Sequence, residues 1–277
     1  MINSILNYEF LQNAFLAGIL IGLIAPLLGV FVVVRRLSLI ADALSHVTLA
    51  GIAASLLLEK KAGMPGINPI YLGMGFSVAG SLFIEKLRVV YKDFQELAIP
   101  IILSAGVGLS VIFISLADGF NTDLFNYLFG SVSAVTRTDL WVISAISVFV
   151  LIVIFALYKE LFLLSFDEEH AAASGIHSKW IHFIFILTVA LVIAASMRIV
   201  GILLVSSLMT LPVAASIRIA KGFKQAIFFS VLFGEISVII GLVLAYQLDL
   251  APGGTIVMLS VVILILSILW TKIKRGQ

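Results

Sequence analysis

RRLSLIADALSHVTLAGIAA, residues 35–54, decides how the rest of the chain is read. Two arginines lead into an apolar run, and Asp42 and His46 sit inside it. Residues four apart on a helix share a face, with Cβ atoms about 5–6 Å apart. Asp42 and His46 therefore project to one side, and Ser45 lies close to the same face. Counted from Arg36 at about 1.5 Å per residue, Asp42 is roughly 9 Å and His46 roughly 15 Å into the segment. If the segment crosses a bilayer, His46 is near its midplane. An ionised aspartate in that setting costs about 2.5–3.5 kcal/mol even on a lenient scale, so it should face a bundle interior or a water-filled path.

The composition makes the crossing real. The 277 residues are 62% hydrophobic and 12% charged. Soluble domains run about 45–50% apolar and about 25% charged. Nine apolar segments recur, at 14–34, 38–58, 68–87, 97–117, 139–158, 180–197, 199–217, 226–246 and 254–271. A span of the hydrocarbon core needs about 20 residues. The expected fold is an all-α polytopic membrane bundle of eight or nine transmembrane helices. The short alternating strands of a membrane barrel are not seen. There are no cysteines, so disulfides and thiolate metal sites are excluded. The net charge of +2 gives no reason to expect nucleic acid. The N-terminus lacks a basic n-region, so no cleavable signal is expected.

The loops alternate in charge. Thirteen of the 17 basic residues fall on one side, from Arg35 and Arg36 through Arg218, Lys221 and Lys224 to the C-terminal Lys272, Lys274 and Arg275. The other side has Lys60, Lys61, Arg137 and Arg198. The positive-inside rule makes the first side cytoplasmic, which puts the N-terminus outside and the C-terminus inside. LFNYLFGSVSAV (124–135) is too short to span and reads as a re-entrant or interfacial helix on the outer side. A miscounted span is the competing reading.

A carboxylate and an imidazole suit a borderline divalent ion such as Zn²⁺ or Mn²⁺. Two donors leave the coordination shell incomplete, which suits an ion that must be released. The competing reading is an Asp42–His46 hydrogen bond that only holds the bundle together. Glu235, inside FFSVLFGEISVIIG, is a candidate third ligand, a gating group or a partner for Arg198. Arg198 itself lies at an outer helix end, where a long basic side chain can snorkel. His182 sits at the cytoplasmic start of a span and reads as an interfacial histidine.

The cytoplasmic stretch SFDEEHAAASGI (165–176) reads as a short helix over about 166–175. Ser165 and Glu168 have capping-box spacing, and Asp167, Glu168 and Glu169 crowd the first turn, where the helix dipole favours acids. Gly175 supplies the left-handed residue that ends it. It is either a solvated connector or a docking helix whose small residues, from Ala171, seat in a partner's groove. Pro212 is expected to kink the segment 199–217. No GxxxxGK[ST] loop occurs, so ATP-driven transport would need an ATPase on another chain. No HExxH occurs either, which removes the main support for an intramembrane metalloprotease. A proton-coupled carrier using Asp42 and Glu235 remains a different class of answer.

Together the block RRLSLIADALSHVTLAGIAA, FDEEHAAASGI, VGILLVSSLMTLPVAAS and LDLAPGGTIV resemble the metal-ion ABC-3 permease family, the membrane subunits of bacterial ABC importers for zinc, manganese or iron. The resemblance runs along nearly the whole chain. It implies one permease domain over 1–277 with a type II ABC importer-like bundle in the bacterial plasma membrane. It also implies a second copy of the chain, cytoplasmic ABC ATPase subunits docked on a coupling helix carried here by Asp167–Gly175, and an extracytoplasmic metal-binding protein. Asp42 and His46 match the family's metal-handling pair. The ion is cargo, with no permanently bound cofactor, and DALSHVTLAGIA looks more like the zinc permeases, with manganese or iron as alternatives.

Overall fold

The computed structural model describes residues 8–62, 68–117, 119 and 122–275, apart from the side chains of 62, 123, 168, 169, 172 and 275. Among the described residues the chain is helical, with no strand. The helices are α1 (Glu9–Val34), α2 (Ser38–Ala62), α3 (Pro69–Val90), α4 (Ala98–Leu116), α5 (Thr122–Phe129) and α6 (Arg137–Ala156). They continue with α7 (Tyr158–Phe166), α8 (Glu168–Ala173), α9 (Ser178–Val200), α10 (Val205–Ile219), α11 (Phe223–Leu248) and α12 (Pro252–Arg275).

Eight of these are long and apolar enough to cross a membrane. Of the other four, α10 is the longest. Its 15 residues span only about 22 Å at the helical rise. It still runs from one end of the bundle to the other. Just before it, Ile202 N–H donates to the Tyr127 carbonyl of α5, and just after it, Phe223 packs on Tyr158 of α7. The apolar segment 199–217 is therefore two pieces. Its first residues finish α9, and Gly201, at φ +82°, breaks the helix before α10 starts.

The spans differ in how they are buried. α1, α2 and α9 are buried over most of their length, whereas α12 is mostly outward-facing. A helix apolar on all sides belongs in the middle of a bundle. α1 is such a helix, and it packs against α6, α9, α10 and α11. Small residues make that fit. Gly29 meets the Met209 backbone of α10, and Gly18 faces Leu242 of α11, so a side chain at either position would collide. The turn from α1 to α2 closes with Leu37 N–H bonded to the Val32 carbonyl and Arg36 N–H to that of Val33, a Schellman arrangement with Arg36 at φ +58°.

α5 enters at the end opposite the arginine turn. Leu124, Tyr127 and Leu128 are buried against Leu49, Ile52, Met197 and Ile202. Three glycines let backbones meet there. Gly130 lies on the Ile199 carbonyl, Gly201 on that of Leu128 and Gly253 on that of Val200. With eight residues, α5 is about 12 Å long, so it is a short inserted helix and not a missed span.

Candidate metal site and the clusters around it

Asp42 and His46 lie on α2, one turn apart, on a half-exposed stripe that continues to Leu39. The other sides of α2 are closed. Gly80 of α3 and Gly106 of α4 rest on Val47, and Gly51 rests on the Leu72 carbonyl. Ser45 is buried, and its hydroxyl donates to the Ala41 carbonyl at 2.8 Å, so it is committed within its own helix. Neither Asp42 nor His46 makes a hydrogen bond or ion pair with a described residue. This disfavours the bundle-holding hydrogen bond between them. An aspartate and a histidine are instead presented side by side on a helix whose other faces are packed.

Among the described residues no third histidine or acid joins the pair. Glu235 does not join it. It lies on α11 against Gly22 of α1, where the Oε2 atom is buried without a hydrogen-bond partner. Nor does it meet Arg198, whose partners are elsewhere.

Arg198 does not snorkel. One guanidinium nitrogen donates to Asp139 Oδ2 and to the Ala134 carbonyl, each at 2.8 Å, and the other donates to the Tyr127 hydroxyl at 2.8 Å. Its guanidinium also lies over the Tyr127 ring, 5.2 Å from the centroid. Asp139, 1% exposed, simultaneously closes a capping box with Thr136 at the start of α6. Sequence reasoning missed Asp139 and Tyr127. The TxxD spacing at 136–139 signals the cap but not the arginine.

At the basic end His182 is buried in a four-residue cluster. Arg35 Nη2 lies 2.6 Å from His182 Nδ1. The other ring nitrogen, Nε2, lies 3.0 Å from Glu85 Oε1 and touches Arg88. The cluster ties the C-terminal end of α1, the end of α3 and the start of α9 together. Glu85 was another omission of the sequence reading, which treated His182 as merely interfacial.

α8 has the expected end and a different start. Ile176 N–H bonds the Ala171 carbonyl around Gly175 at φ +82°. The cap, however, is Asp167, whose Oδ1 accepts from His170 N–H at 2.8 Å. Ser165 cannot cap α8 because it belongs to α7, where its hydroxyl donates to the Leu161 carbonyl at 2.6 Å. Ala171 is fully buried, and the side chains of Glu168 and Glu169 lie outside those described.

A model of the ABC 3 transport family matches residues 7–271. The chain belongs to the ABC 3 transport family. A protein of Treponema pallidum (strain Nichols) named as a probable metal transport system membrane protein is 38% identical over 272 residues, covering 98% of this chain and 99% of that one. The manganese transport system membrane protein MntC of Listeria monocytogenes is 31% identical, covering 99% and 95%. Among solved structures, PsaBC from Streptococcus pneumoniae in complex with Fab matches with a TM-score of 0.83 at 30% identity, covering 96% of this chain and 93% of that chain. As an ABC 3 permease, the chain is a multi-pass membrane component of a metal transport system. Its fold and family agree with the resemblance carried by the sequence blocks.

Proposed function

We propose that this chain is the membrane subunit of an ATP-driven importer for a divalent transition metal, with manganese as the cargo. The observation that carries the reading is the Asp42–His46 stripe, a carboxylate and an imidazole that make no side-chain hydrogen bond or ion pair with a described residue, on the half-exposed face of an otherwise packed membrane helix. Two donors from one chain and two from a second copy would together form a four-donor set. Each ion would then be held by groups that separate again when the two copies move apart. Oxygen and imidazole donors serve manganese and zinc alike. The block DALSHVTLAGIA leans toward zinc, but relatives named for manganese transport weigh more heavily.

In this reading the basic end is cytoplasmic, with the N-terminus outside. α8 is the coupling helix for a separate ATPase subunit, because Asp167 and Gly175 fix its two ends and α7, which leads into it, ends beside the basic cluster. A metal-binding protein delivers the ion at the opposite end, near α5.

The test is uptake of radioactive manganese and zinc in cells that carry the complete transporter. Asp42→Ala and His46→Ala are each expected to abolish uptake while the permease still assembles in the membrane. Normal uptake by both variants would reject the site. Competition by excess zinc that fully suppresses manganese entry, with the reverse ineffective, would return the cargo to zinc.

A further inference from the structure

At the basic end, two cavities of about 450 and 660 Å³ adjoin at Tyr158 and Lys224. They occupy the cleft where α6 stops, α7 turns away and α11 begins. α6 and α11 both pack on α1 more closely than on each other, so the cleft between them is floored by aromatic rings. The Phe223 ring lies 5.3 Å from Phe31 and 5.1 Å from Phe162, edge-on to both. Toward the membrane the cleft opens beside Phe155, which is 79% exposed, and Ile227. Phe155 is the penultimate residue of α6, so the cleft opens onto the outer face of that span.

Its rim is cationic. Lys221 and Lys224 edge the first cavity, and Lys159 and Lys224 the second. All three are exposed, and none forms an ion pair with a described residue. The N-terminus of α11, which has no side-chain cap, lines the same cavity and adds partial positive charge. Glu160 is the one acid among the described lining residues, and its Oε2 is buried without a hydrogen-bond partner, an acceptor that a headgroup hydroxyl fits. Three lysines against one glutamate leave the rim positive.

From this arrangement we infer that the cleft binds one anionic phospholipid, with its phosphate at Lys159, Lys221 and Lys224 and its chains along Phe155 and Ile227. An apolar trough ending in unpaired ammonium groups at the membrane surface matches that ligand's two halves. A soluble protein segment would have no use for the half of the cleft that opens toward lipid. The bound lipid would bridge α7, which leads directly into α8, and the first turn of α11.

Native mass spectrometry of the full chain in detergent, titrated with phosphatidylglycerol or phosphatidylcholine, tests this. The parent should retain phosphatidylglycerol roughly tenfold or more over phosphatidylcholine, in line with the pull of basic clusters on anionic lipid. Lys159→Gln/Lys221→Gln/Lys224→Gln should lose that preference, and Lys224→Gln alone, at the junction of both cavities, should lose most of it. Lys272→Gln/Lys274→Gln, equally near the basic end, should keep it. Equal retention of both lipids by the parent, or equal loss in the control pair, overturns the site. So does displacement of the lipid by millimolar inorganic phosphate, which would make it a free-anion site. Loss of a co-purifying ATPase subunit in the triple variant, with lipid preference intact, would make the lysines a protein-docking surface and also overturn it.

Discussion

Arg198 of α9 donates to Asp139 Oδ2 of α6 across 2.8 Å, and the same guanidinium reaches Tyr127 of α5. Three helices are thereby fastened at the end of the bundle opposite the basic cluster. Asp139 is almost fully buried, so it depends on that arginine. Removing one partner from a buried pair costs about 3–5 kcal/mol, because the other charge is left stranded. Arg198→Ala should lower the unfolding temperature in detergent sharply, and Arg198→Lys should recover little, since one ammonium cannot reproduce the planar fork. A lysine variant as stable as the parent would show that charge alone matters here.

Gly201 offers a second test of the same end. It combines φ +82° with a carbonyl, that of Leu128, sitting where a side chain would go. Gly201→Ala should destabilise by about 1–3 kcal/mol from backbone strain, with the collision adding to it. Gly75, in the middle of α3, has open space around it. Gly75→Ala should be neutral or stabilising by about 0.5–1 kcal/mol, as expected for a helical glycine. Thermal unfolding of the two variants side by side measures the contrast.

Much of this fold is legible in the sequence because a membrane demands long apolar runs. The nine segments correspond to eight long helices and one short one. The start of α10 was misplaced because the apolar run passes through the break without interruption, and glycine is common inside membrane helices. The i,i+4 spacing of Asp42 and His46 is local and could be read. That neither side chain hydrogen-bonds or ion-pairs with a described residue is a tertiary fact and could not. Arg198 and Asp139 stand 59 residues apart, and His182 and Glu85 are similarly remote, so nothing local pairs them. At α8 the spacing points to Ser165 as the cap, and only the reach of α7 through Phe166 moves the cap to Asp167.

Glu235 separates a carboxylate inside the membrane from a carboxylate on the ion path. Its buried Oε2 faces Gly22 and lacks a hydrogen-bond partner, and α11 does not pack beside α2 in one chain. Glu235→Gln should therefore keep metal uptake near the parental rate, in contrast to Asp42→Ala. Removing an unsatisfied buried polar group also relieves a cost of about 1–3 kcal/mol, so Glu235→Leu should unfold no earlier than the parent. Loss of uptake in a folded Glu235→Gln variant would put this residue on the ion path.

The coupling role proposed for α8 rests on how well its first turn is held. Asp167 accepts from His170 N–H, and the helix beyond it has only six residues. Loss of an N-cap costs about 0.5–2 kcal/mol, a large share of what so short a helix has. Asp167→Ala should speed amide hydrogen exchange across 168–173 and reduce ATP-driven uptake, with membrane insertion unchanged. Ser165→Ala removes a hydroxyl that serves only the Leu161 carbonyl within α7, so both readouts should stay parental. If exchange rises in Asp167→Ala but uptake does not fall, α8 is a solvated connector and the ATPase docks elsewhere.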